Sequence, residues 1–425
     1  MCTDGFSFFC GLSYDTKIFY NEIVFLYHGD VTNNMAGNAN LGDAKKNKND
    51  EFYTQYSDIE AEMNAYVEYN PDVFRDKTIL LPCDDPEWSN FTKYFAANFE
   101  RFGLKKLIST SYAKGAGNIQ LTLFEMESPL YDADLHDTHG KLFTVTRDVD
   151  GSGSIDTDDI VFDGYLKGDG DFRSEEVTKL RDEADVIITN PPFSLFREFL
   201  AWIMEADKQF VIIGNQNVIT YKEVFPLLKE NKIWLGAPFP SGNAYFDVPE
   251  DADTSVYAKG VYNPDTRQLH FRNCRWFTNI DFGGRHEELQ LMTMEQNLKY
   301  NKKLKKKFEK DFGANNYPHY DNMDAIEVPF TECIPSDYKG IMGVPITFLD
   351  RYNPNQFEIL GLSRDMDMPT KHGMSAVFVE TYFAQGNTGQ IMEGHPDLCY
   401  YTVGGRAIVP YRRVMIRVKR GSNTK

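Results

Sequence analysis

Two stretches of the chain follow one plan: a short apolar run, a polar turn, a helically spaced apolar face, then another short apolar run. In the first, Ile59, Met63, Tyr66 and Val67 keep a helical period from about Glu51 until Pro71 ends it. Residues 77–81 then read as a strand, followed by the turn Pro82-Cys83-Asp84-Asp85-Pro86-Glu87-Trp88. Ser89 is the expected N-cap of a helix with Phe91, Phe95, Phe99 and Phe102 on one face, and Gly103 stops it before a strand around Leu107-Ile108. In the second, residues 185–189 form a strand, Ser194 caps a helix carrying Phe196, Phe199, Leu200, Ile203 and Met204, and residues 210–213 form the next strand before Gly214. Two strand–helix–strand units predict an open, mostly parallel, Rossmann-like α/β sheet. Ligands of such sheets sit beyond the carboxyl ends of the strands, where the turns after Leu81 and Thr189 both lie. Residues 112–183 read as β-rich and loopy. After about residue 240 the pattern is irregular, with strand-like pieces at 268–272, 346–349 and 357–360 between Asn/Pro/Gly turns.

The turn after the second unit's first strand is Asn190-Pro191-Pro192-Phe193. At average usage of about 5% for Pro and Asn and about 10% for an aromatic, this tetrapeptide arises by chance in well under about one in a hundred chains of this length. It offers the Asn190 amide oxygen and the Pro191 carbonyl as acceptors, with Pro192 stiffening the turn and Phe193 supplying a stacking face. A planar amine can be held there while its ring stacks on Phe193. An ordinary Pro-Pro turn is the bland reading and receives little weight at a strand end.

With these residues the chain resembles the amino-methyltransferases carrying a (D/N)PP(Y/F/W) motif, and more narrowly the EcoRI-type adenine-specific DNA methyltransferase family. Five further stretches carry the narrower resemblance: residues 48–54, Cys83-Asp84-Asp85-Pro86 with Ser89, Asp171-Phe172-Arg173-Ser174, Arg275-Trp276-Phe277-Thr278-Asn279, and residues 343–350. The resemblance implies S-adenosyl-L-methionine as cofactor, no metal, double-stranded DNA as partner, and methyl transfer to the N6 amine of a flipped-out adenine. It leaves room for a cognate restriction endonuclease. Asn190, Pro191, Pro192 and Phe193 are the expected catalytic residues. Phe52, Tyr53 and Thr54 are expected over the methionine end of the cofactor, although core packing competes closely for Phe52 and Tyr53. Cys83, Asp84 and Asp85 replace the usual glycine-rich loop after the first strand. Asp171 is expected at the cofactor's adenine amine and Phe172 against its ring. The strand near Ile108 lacks the acidic residue that often binds ribose. Residues 1–44 are expected to be an N-terminal extension, 45–240 the methyltransferase domain and 241–425 a target-recognition portion.

The chain of 425 residues is long enough for two domains, and with 42% hydrophobic residues it suits a globular protein. It has no apolar run of membrane-spanning length. Six scattered cysteines without a CxxC pair fit reduced thiols in a cytoplasmic protein. Residues 1–34 are aromatic and apolar but contain Asp4, Asp15 and Glu22, unlike a secretory signal. They are read as an added or mis-started segment, with Met35 as the alternative start, or as a peripheral extension. The net charge of −18 argues against a broadly basic surface, yet basic runs stand at 299–310 and 412–420. Residues 148–159 match a calcium loop, with Asp148, Asp150, Ser152 and Asp156 at ligand positions and Asp159 where Glu is usual. Strand-like flanks favour an Asp/Gly-rich hairpin instead. Two other functional readings stay open on residues alone: methyl transfer to RNA or a protein glutamine amide, and a non-enzymatic calcium-binding or interaction protein built on 148–159.

Overall fold

The protein is described by a computed structural model covering residues 53–113, 128–239, 242–248, 254–257, 260–309, 316–364, 373–388, 391 and 397–419. The expected extension 1–44 and Phe52 lie outside the described residues, as do Lys310 and Arg420. Its main sheet has eight strands: β1 (Thr78–Pro82), β2 (Lys106–Thr110), β3 (Lys141–Val145), β4 (Val161–Tyr165), β5 (Val186–Thr189), β6 (Gln209–Asn215), β7 (Trp234–Leu235) and β8 (Cys274–Thr278). They lie in the order β4-β3-β2-β1-β5-β6-β8-β7. The central strands β2, β1, β5 and β6 are parallel. Both margins are antiparallel, β3 and β4 on one side and β8 and β7 on the other. The sheet is therefore mixed rather than mostly parallel. The β3–β4 hairpin lies in the region read as β-rich and loopy, and a hairpin must pair antiparallel. The eighth strand comes from beyond residue 240, so the sheet runs on to Thr278.

Alternate residues of the central strands face two cores, which explains their continuous apolar runs. Ile79, Leu81, Val186, Ile188, Val211 and Ile213 join Ile59, Met63 and Tyr66 of helix α1 (Tyr56–Tyr69) and Phe91, Tyr94 and Phe95 of helix α2 (Asn90–Ala97). Leu80, Ile187, Phe210 and Ile212 join Val177 of helix α3 (Glu175–Glu183) and Phe196, Phe199, Leu200 and Ile203 of helix α4 (Phe196–Glu205). Ser89 caps α2 as expected, its side chain accepting from the Phe91 N–H. Ser194 does not cap α4. A 3-10 turn at Phe193–Leu195 intervenes, and the helix starts behind Leu195 without a side-chain capping bond. The helix expected through Phe102 breaks at Asn98 and resumes as Phe99–Phe102, closed by the left-handed Gly103.

The C-terminal half is more ordered than its sequence pattern. Strands β9 (Ala325–Glu327), β10 (Ile341–Pro345), β11 (Phe357–Leu362) and β12 (Arg413–Val418) form a second sheet in the order β9-β10-β12-β11. The strand expected at 346–349 is a 3-10 segment, Ile346–Arg351, after a strand that ends at Pro345. This sheet's inner residues Met342, Val344, Phe357, Val414 and Ile416 share one core with α4 and β6.

Candidate active site

The carboxyl ends of β1, β2, β5 and β6 lie along one edge, where Cys83–Asp85 and Asn190 follow β1 and β5. The Thr189 hydroxyl donates to the Pro82 carbonyl at 2.8 Å, tying the end of β5 to the end of β1. Asn190 and Cys83, each just past the end of its strand, are therefore neighbours. The Asn190 amide oxygen is buried. Phe193 is half-buried and held edge-on by two rings, Phe246 at 6.3 Å and Phe271 at 6.2 Å. Those rings belong to a small sheet of Tyr53–Thr54, Ala244–Asp247, Gln268–Phe271 and Tyr262–Asn263. Aromatic pairs prefer this geometry, which fixes the plane of the Phe193 ring.

The turn after β1 does a glycine's work without glycine. Cys83 adopts φ +72°, a left-handed conformation that L side chains rarely take. The Asp84 N–H donates to the Thr110 carbonyl at 2.7 Å, and the Asp84 carbonyl accepts from the Ser109 and Thr92 hydroxyls. The Asp84 carboxylate accepts from the Ser89 hydroxyl at 2.7 Å. Asp85 caps the turn, its carbonyl accepting from the Ser89 N–H and its carboxylate from the Glu87 N–H. Tyr53 and Thr54 reach this loop through the small sheet, where they pair with Asp247 and Phe246. The Tyr53 ring stacks on Trp88 at 6.4 Å, and the Asn90 amide donates to the Thr54 carbonyl at 2.7 Å. Two buried hydroxyls here, Thr54 Oγ1 and Thr110 Oγ1, have no hydrogen-bond partner among the described residues. Buried polar groups are normally satisfied, so these suit an additional ligand.

Asp171 and Phe172 part company. Gly170, at φ +86°, packs so closely on the Ser111 carbonyl beyond β2 that an added Cβ would lie 2.3 Å from it. This close approach puts Asp171 at the same edge. The Arg173 guanidinium holds the Asp171 carboxyl below the usual carboxylate range, donating to it at 2.9 and 2.5 Å. Phe172 instead turns into the core: it is 3% exposed and lies edge-on to Phe199 and Trp202. Trp88, Phe246, Phe271 and Thr110 were not singled out by sequence reasoning. Phe271 fell inside a recognised strand-like piece, but its pairing left no local signal.

The acidic loop at 148–159 joins β3 to β4, so its flanks are strands. Oxygens of Asp148, Asp150 and Asp159 lie within 4.8 Å of one another. Each carboxylate is engaged by backbone: Asp148 by the N–H groups of Gly151 and Gly153, Asp150 by that of Ser152, and buried Asp159 by those of Val149 and Asp156. Asp156 caps the 3-10 turn Thr157–Asp159, and the Ser152 hydroxyl donates to the Ser154 carbonyl. These bonds are those of an Asp/Gly hairpin turn.

Residues 40–419 match the family model described as adenine-specific methyltransferase EcoRI. The type II methyltransferase M.EcoRI of Escherichia coli is 43% identical over 337 residues, 78% of this chain and 93% of that protein. The type II methyltransferase M.MgeORF184P of Mycoplasma genitalium is 33% identical, covering 75% of this chain and 84% of its own length. The type II methyltransferase M.MpnI of Mycoplasma pneumoniae is 31% identical, covering 75% and 83%. No solved structure matches the chain. Among the described residues no helix is long and apolar enough to cross a membrane. A match over nearly the whole chain, with the Asn190–Phe193 turn at the ligand edge of an α/β sheet, places this protein in the EcoRI-type adenine-specific methyltransferase family.

Proposed function

We propose that the protein methylates the N6 amine of adenine in double-stranded DNA at a specific site, using S-adenosyl-L-methionine. The carrying observation is the juxtaposition of the Asn190–Phe193 turn with the Cys83–Asp85 loop on adjacent parallel strands. Asp84 and Asp85, with the buried hydroxyls of Thr54 and Thr110, offer acceptors and donors suited to ribose hydroxyls and the methionine ammonium. Tyr53 covers this end. Asp171, held ionised by Arg173, accepts from an exocyclic amine on the cofactor side. Phe172 supports that loop from the core. The cofactor supplies a methyl group already activated on a sulfonium. No metal enters this scheme.

The exocyclic amine of adenine is a weak nucleophile because its lone pair is delocalised into the ring. The Asn190 side-chain oxygen and the Pro191 carbonyl accept its two N–H bonds. That arrangement favours a pyramidal nitrogen and aims the lone pair outward. Pro192 keeps the turn rigid, and positioning of this kind supplies most of the rate. Unstacking the base costs about a few kcal/mol, and stacking on Phe193 returns about 1–3 kcal/mol. The C-terminal portion contributes target recognition, and a cognate restriction endonuclease is the partner expected of a type II system. The test offers label from S-adenosyl-L-methionine to duplex DNA, RNA and total protein. Label should enter duplex DNA and fall by at least about 100-fold in Asn190→Ala while cofactor binding persists. Label in RNA or protein alone would redirect the assignment.

A further inference from the structure

The protein carries 63 acidic and 45 basic side chains, yet six lysines fall within residues 299–307 with no acidic residue among them. The structure presents most of them on one anchored platform. Helix Met294–Tyr300 starts with a capping box between Thr293 and Gln296, and Asn301 both ends it and caps helix Lys302–Lys307. Leu304 is fully buried in the main core, and Asn297, also buried, donates to the Cys333 carbonyl. The platform is thus fixed from beneath, while Lys299, Lys302, Lys303, Lys305 and Lys306 are exposed. Lys303 pairs with Glu332 at 2.8 Å. Tyr300 is 62% exposed, with the Lys299 ammonium 5.2 Å from its ring centre. Lys302 faces Lys305 and Lys306 at three- and four-residue spacings, an arrangement that destabilises a helix on its own. An anionic partner would relieve that repulsion.

We propose that the face of Lys299, Lys302, Lys305 and Lys306, with Tyr300, binds the phosphate backbone of duplex DNA outside the catalytic edge. This rests on the reading of DNA as substrate and assigns a contact surface to it. Phosphate contacts position a protein on DNA without reading sequence, and each releases counterions. The test is the triple variant Lys302→Gln, Lys305→Gln, Lys306→Gln in the full chain. Glutamine keeps helix propensity, and unchanged circular dichroism and cofactor affinity confirm the fold. The slope of log affinity against log salt should become shallower by about 2–3, because each lost contact removes about 0.9. Affinity at about 0.1 M salt should drop at least tenfold, with kcat at saturating DNA unchanged. A slope matching the parent's, in a parent that methylates duplex DNA, overturns this surface and leaves the functional reading standing. A slope change with single-stranded RNA and none with duplex DNA also overturns it. A parent that neither binds nor methylates duplex DNA overturns both.

Discussion

Phe193→Ala separates two jobs that sit three residues apart. In the proposed chemistry Asn190 acts on the amine and Phe193 on the ring that bears it. Loss of stacking of about 1–3 kcal/mol should weaken productive DNA binding roughly 5- to 150-fold, with cofactor affinity unchanged. Phe193→Tyr should restore most of it, because Phe246 and Phe271 still orient the ring. Steady-state kinetics on duplex DNA check this, and equal losses in both variants would contradict a stacking role. The tetrapeptide and its place at a strand end were legible in the sequence. The left-handed backbone at Cys83 was not, since it lies at a residue type that gives no warning of it. For Phe172 the motif points to the cofactor, while the structure adds a packing against Phe199 and Trp202 that the sequence does not show.

Helix α1 lies across the sheet with a buried carboxyl, Glu62, against the β8 side. Burial pushes Glu62 up to about 8 from an ordinary 4.5, although the Tyr66 hydroxyl and the Ala237 N–H both donate to it. The folded protein keeps a proton that the unfolded chain releases near pH 4.5. Stability from this group therefore falls as pH rises from about 4.5 to 8 and levels off above that. Thermal melts of the parent between pH 5 and 9 should show this fall relative to Glu62→Gln, whose profile stays flatter. Parallel profiles would contradict a protonated Glu62. The helical faces of α1, α2 and α4 were legible because their periods are local. The pairing of Tyr53–Thr54 with Ala244–Asp247 was not, because two-residue strands carry no period and their partner is distant in the chain. Strand β8, five residues long, pairs with β6 about 60 residues earlier in the chain, and that distance hid its place in the main sheet.

Across the whole molecule, the two halves are joined by a shared core and by polar struts. Arg275 of β8 donates to both oxygens of Asp350 at 2.7 and 3.0 Å, and Arg412 donates to the Thr220 carbonyl at 2.9 Å. The Arg275 and Asp350 side chains are 17% and 21% exposed, so water screens the pair only in part. Asp350→Asn should lower the unfolding free energy by about 1–3 kcal/mol, measured by urea denaturation. A change within about 0.5 kcal/mol would mean the strut contributes little. Both residues stand in stretches that carried the family resemblance, but sequence gave no sign that they meet. The charge of −18 belongs to this scale as well: binding DNA then depends on where the cations sit rather than on their sum. The roles proposed for Asn190 to Phe193 converge on one atom, the adenine N6 that receives the methyl group. The direct measurement is mass spectrometry of nucleosides from duplex DNA incubated with the protein and isotopically labelled S-adenosyl-L-methionine. Labelled N6-methyldeoxyadenosine is expected with the parent, and at least about 100-fold less of it with Asn190→Ala. Label on cytosine instead, or adenine label undiminished in Asn190→Ala, would overturn the assignment of Asn190 to the amine.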